Sequence, residues 1–116
     1  MKRQAFMTYC QSEFSMQADH PFKRDPEIVA LRHPNGKWFA LVMHVAYAKL
    51  GLPGDDSHDI VNLKVEPELN SILQIQPGFF PGYHMNKTHW LSVQLDQFER
   101  PEILSDLIEG SYQATR

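Results

Sequence analysis

Cysteine is nearly absent from this chain, and the single one, Cys10, can close no internal disulfide and supply no multi-cysteine metal site or redox pair. A reducing compartment, the cytoplasm, fits that usage. Long hydrophobic runs are also missing. The longest apolar stretch, Trp38 to Ala48, is broken by His44 and falls short of the ~20 residues that cross a bilayer, so no membrane partner is expected. After two cations the N-terminal stretch turns polar by Thr8 and Gln11, lacking the apolar region of a signal peptide, and export is not expected. Cations are not in excess either: 11 Lys and Arg against 14 Asp and Glu leave a net charge of −3. That balance argues against a purely electrostatic grip on nucleic acid and leaves only local patches for the purpose.

Motifs of catalysis are missing too. No serine stands in a nucleophile elbow, no phosphate loop occurs, and no histidine pair has the spacing of a helical metal site. His84 and His89 are five residues apart with a strand starting between them, which suits no ordinary shared metal. Cys10 falls on an apolar helix face, where burial makes a thiol inert. No enzyme activity, metal or cofactor is therefore expected.

What is present is an ordinary globular composition, 42% hydrophobic and 22% charged over 116 residues, the size of one domain. Phe6, Tyr9, Cys10 and Phe14 recur at helical spacing and predict a first helix over Lys2 to Phe14. Pro21 and Pro26 make Ser15 to Pro26 a connection. Ile28 to His33 and Lys37 to Val45 read as strands around Asn35-Gly36, a pair suited to a two-residue hairpin turn. That register sets Arg32 opposite Phe39 and His33 opposite Trp38. Ala46 to His58, with Gly51, Pro53, Gly54 and Asp55-Asp56, reads as a long mobile connection.

Val61, Leu63 and Val65 alternate with Asn62 and Lys64 in a one-sided strand, and Glu66-Pro67-Glu68 opens a helix with Leu69, Ile72 and Leu73 as its buried stripe. Leu91, Val93 and Leu95 alternate with Trp90, Ser92 and Gln94 in a further strand. Pro101-Glu102 starts a last helix with Ile103, Leu104, Leu107, Ile108 and Tyr112 on one side. The expected fold is α+β, an antiparallel sheet with helices packed on one face, in the order α-β-β-β-α-β-α.

Four blocks then match a known family in order: Gly36 to Leu41, Val61 to Glu68, Pro81 to Trp90 and Ile108 to Tyr112. The chain resembles the MmcQ/YjbR family over nearly its whole length. His84 to Trp90 is the most specific block, because a lysine followed two residues later by His-Trp at the start of a strand is uncommon. The resemblance implies a frataxin/CyaY-like sandwich and a DNA-binding label. Frataxin-like iron binding, by the same analogy, uses acidic residues along the first helix, where this chain has only Glu13.

Three candidate surfaces follow. In the first, His84, Lys87 and His89 meet phosphates, Asn86 reads a base edge and Trp90 stacks on bases; the structural alternative has these residues shaping the start of the strand. The second follows from alternation: with Val61, Leu63, Leu91 and Val93 in the core, Asn62, Lys64, Trp90, Ser92 and Gln94 share an open face. Its alternative has Trp90 and Trp38 covered by loops. The third is the hairpin, with Lys23, Arg24, Arg32, His33 and Lys37, as a wing in a groove or merely a solvated end. Glu102, Asp106 and Glu109 form the wet side of the last helix. The sequence thus points to a small binding module for DNA or, in the alternative, for a protein partner that meets the Trp90-centred face.

Overall fold

A computed structural model describes all residues, 1–116. The helices are α1 (Arg3–Glu13), α2 (Pro67–Leu73) and α3 (Ser105–Ala114). The strands are β1 (Gln17–Asp19), β2 (Val29–Arg32), β3 (Trp38–Ala46), β4 (Ser57–Lys64), β5 (Phe79–Pro81) and β6 (Trp90–Gln94). All six join one antiparallel sheet in the order β1-β2-β3-β4-β6-β5. The α+β architecture is as expected. The edge strands β1 and β5 are additions, each only three residues long and formed by pairing with a longer neighbour.

One face carries the main core. Val42, Val61, Leu63, Leu91 and Val93 alternate inward and meet Phe6 and Cys10 of α1, with Ile108 of α3 and Leu104 just before it. Ser111 fastens α3 to the sheet, for its hydroxyl donates to Phe39 O at 2.5 Å and accepts from Lys64 N–H at 2.8 Å. Helix α2 is turned differently from its apolar pattern. Leu69 and Ile72 are exposed, while Asn70 is buried and its amide reaches the carbonyls of Thr88 and Trp90 at 3.0 and 3.1 Å. Thr88 O and Trp90 O, the latter also bonded by Gly82 N–H, give the Asn70 amide its acceptors, and that pairing decides which side of so short a helix turns inward. Ile103 is exposed as well, because Pro101–Leu104 is a 3-10 turn and α3 starts only at Ser105.

The hairpin departs from its expected turn in a way that places the site. Gly36 N–H bonds to His33 O at 2.9 Å and His33 N–H to Lys37 O at 2.8 Å, so the loop is Pro34-Asn35-Gly36, three residues. Proline suits the second position of a β-turn, and only Gly36 takes a positive φ, 91°. The register expected for a two-residue turn holds at Leu31↔Ala40, then slips so that Arg32 faces Trp38. Phe39 is the extra residue of this bulge. Both Phe39 and Ala40 therefore enter the main core, and Trp38 moves to the other face.

The second face is not open as alternation alone suggests. Leu41, Met43, Val45 and Ile60 form a smaller cluster there, joined by Tyr83 and Met85 from the β5–β6 connection. The Ala46 to His58 connection is also shorter than expected. β3 runs to Ala46, a 3-10 turn covers Tyr47–Leu50, and Tyr47 stacks on His58 with ring centres 4.0 Å apart.

Candidate functional site

Alternation puts Lys64 and Trp90 directly opposite each other on the second face, one step beyond the buried pair Leu63 and Leu91. The bulge brings Trp38 to the same face. One cleft of about 360 Å³ at this end of the sheet is lined by Lys37, Trp38, Lys64, Trp90, Ala114, Thr115 and Arg116. Both indoles are half-buried. Trp38 is braced by Arg32, whose guanidinium carbon lies 5.4 Å from the ring centre, and by the edge of Phe22 at 6.0 Å. Arg32 is itself held, with Nε and Nη2 on the two carboxylate oxygens of Asp19 at 2.8 and 3.2 Å and Nη1 on Gly36 O at 2.9 Å. Its charge is largely answered, so it positions Trp38 rather than offering a free cation. Lys37 and Lys64 form no salt bridge. The Lys37 ammonium reaches Arg116 O at 3.3 Å and stays exposed.

The β5–β6 connection, which leads into Trp90, is clamped by its own polar groups. Asn86 Oδ1 accepts the N–H groups of Thr88 and His89 at 2.9 and 3.2 Å, and Lys87 Nζ donates to Gly82 O at 2.9 Å. Asn62 is fully buried, its amide nitrogen donating to Tyr83 O at 2.9 Å while its oxygen accepts from Ser92 Oγ at 2.5 Å. Asn62 is out of reach of a ligand, and Asn86 and Lys87 are engaged in holding the loop. Gly82 has no substitute in this packing, since a Cβ there would lie 2.7 Å from Trp90 O.

The two histidines of the block are exposed and face different ways. His84 adopts a positive φ of 59°, packs its ring tilted against Tyr83 with centres 3.9 Å apart and borders a recess of about 130 Å³ with Asp25 and Lys49. His89 opens instead on a groove of about 520 Å³ between α2 and α3. Of the residues singled out in the sequence, the structure thus gathers Lys37, Lys64 and Trp90 in one cleft, with Arg32 as a brace. Trp38 and Arg116 join them. The signal for Trp38 was Pro34 beside Asn35-Gly36, which calls for a longer turn and so for a bulge.

His33 lies behind the cleft, buried, with Nε2 2.8 Å from Thr115 Oγ1 and its ring 4.1 Å from Tyr112. Burial lowers its pKa below the usual histidine value, and the charges of Arg116 and Lys37 lower it further. At neutral pH it is an uncharged wall. Cys10 is buried as expected, and desolvation pushes its thiol up to about 12.

A second polar cluster has the connectivity of a catalytic triad: His44 Nε2 is 2.8 Å from Ser57 Oγ and His44 Nδ1 is 3.0 Å from Asp59. Its setting is that of a polar strand end. His44 and Asp59 are a direct cross-strand pair, Ser57 and His44 are exposed, and Arg3 adds an ion pair to Asp59 at 3.3 Å. No helix is long and apolar enough to cross a membrane, and no group of three or more His, Cys, Asp or Glu side chains is placed to hold a metal ion.

Comparison with known proteins agrees with the architecture. The YjbR family model matches residues 15–114. The chain is 35% identical over 117 aligned residues to the uncharacterized protein YyaQ of Bacillus subtilis, covering all of this chain and 99% of that one. A crystal structure of a Pseudomonas syringae protein matches with a TM-score of 0.92 and 43% identity over the full length of both chains. The Deinococcus radiodurans protein DR2400, with a DUF419 domain, matches at a TM-score of 0.66 and 28% identity, over 92% of this chain and 72% of that one.

Proposed function

The chain belongs to the YjbR family, and from that premise we propose that it is a small DNA-binding module whose contact surface is the two-tryptophan cleft. One observation carries the reading: both tryptophans of the chain and three cations, Lys37, Lys64 and Arg116, line the same cleft. Indole faces offer stacking surfaces that accept any base, and cations beside them neutralise phosphates. The patch is local, which reconciles it with a net charge of −3. On this reading the protein acts in the cytoplasm without catalysis, and its helix-backed sheet serves as a frataxin-like platform.

Salt titration tests it. Three cations on phosphates release the counterions condensed there, so raising salt from 50 to 200 mM should weaken binding about 20-fold on a single strand and about 40-fold on a duplex. Affinity for labelled DNA that does not respond to salt, or that survives loss of Lys64 and Trp90 together, would remove the cleft from consideration. A protein partner is the second reading, favoured by the exposed Leu69, Ile72 and Ile75 on and after α2. Capture of protein from lysate after nuclease treatment, sensitive to charges at those positions, would support it.

A further inference from the structure

Building on the DNA-binding reading, we infer that the cleft takes a single strand, with unstacked bases on Trp38 and Trp90, and discriminates against duplex DNA. Three observations point this way. The first is width. The cleft lies at the end of a sheet of six strands, and five inter-strand steps of ~4.8 Å make that platform about 24 Å across. A major groove about 12 Å wide admits a two-stranded ribbon and not such a sheet.

The second is the hairpin tip, the one ribbon-like projection beside the cleft. Its loop is Pro34-Asn35-Gly36, flanked by the single exposed cation Lys37. That tip has too little charge to follow a groove. The third is the chemistry of the cleft itself. Within a duplex each base has neighbours above and below, so the indoles would find no free base face. A single strand presents those faces and also carries half the phosphate density of a duplex, which matches three cations on an acidic protein.

The molecule carries its own reporter. Trp38 and Trp90 are its only tryptophans, so intrinsic indole emission reads the cleft and nothing else. The experiment titrates the full chain with a mixed-sequence 14-nucleotide strand and with the same strand annealed to its complement, following emission quenching and the anisotropy of a labelled end. The expected result is quenching by the strand and affinity at least tenfold above that of the duplex. W90F should retain most of the affinity, because a smaller aromatic still stacks, and W90A should lose on the order of tenfold.

K64A provides a readout that leaves both indoles in place: the slope of log affinity on log salt should become shallower by about 0.7. Equal or tighter binding of duplex would overturn the single-strand inference and leave the DNA reading standing. Binding of neither form, with emission unchanged, would overturn both.

Discussion

The two faces of the sheet are built from alternate residues of the same strands, yet they are finished by different means. Helices α1 and α3 cover one face, and aliphatic side chains with Phe6 and Phe39 fill the space between. The other face has no helix. A loop closes its middle through directed hydrogen bonds, Asn62 donating to Tyr83 O and Ser92 Oγ accepting from Tyr83 N–H, and its end is left as a cleft between two indoles. Burial on the first face is insensitive to direction and tolerates little loss of volume; on the second, stability depends on whether specific donors meet specific acceptors.

Truncation should separate the two faces clearly. Phe6→Ala is expected to cost about 3–5 kcal/mol, the range for emptying a fully buried aromatic site, and denaturant melts would measure it. Asn62→Ala leaves Tyr83 O without this donor and the Ser92 hydroxyl proton without its acceptor and should cost about 1–3 kcal/mol, with faster amide exchange confined to the β5–β6 connection. If the exchange spread evenly over the molecule instead, the loop would not be a separate closing element. Trp90→Ala should fall below the ~3–5 kcal/mol of a buried aromatic, because the ring is only half-buried, while binding declines.

Acid should act through the wall behind the cleft. The folded-state pKa of His33 is depressed, so the unfolded chain binds its proton more readily and stability falls as pH drops. The contribution is fully present above the ordinary histidine value of about 6.5 and is lost as pH falls from there toward the lowered folded value. Melts of the wild type and His33→Gln across pH 5 to 8 should converge at the acid end. The smallest effect is expected at Cys10, whose burial and thiol pKa of about 12 predict slow labelling by thiol reagents in the native state. Rapid labelling would mean that α1 detaches from the first face more readily than its packing indicates.

Much of this contrast was legible in the sequence. The strict alternation of Leu91 and Val93 with Trp90 and Ser92 placed Trp90 on the second face beside Lys64 or Asn62, and its partner is Lys64. Cys10 lay correctly among the apolar residues of α1. The covering of that face was not legible, because it depends on Asn62 and Ser92 meeting the backbone of Tyr83, a contact between segments far apart in the chain. Nor were β1 and β5, since strands of three residues carry no period of their own. In the hairpin Asn35-Gly36 alone was read as the turn, and the resulting one-residue error set Trp38 opposite His33 instead of Arg32. Where a side chain is half of a hydrogen bond to distant backbone, local pattern is silent about it.

The bulge at Phe39 makes the hairpin loop a register key for the molecule's chemistry. Closing the hairpin on Asn35-Gly36 alone, with Pro34 taken into the strand opposite Lys37, would extend the Leu31↔Ala40 register through Arg32. Phe39 would then leave the main core and Trp38 would be driven into it, exchanging a phenyl ring for an indole too large for the space. One residue at a solvent-exposed tip thus determines both what fills the interior and whether the surface carries one tryptophan or two. Whether Pro34 belongs to the turn or to the strand is a single step by which the cleft is gained or lost.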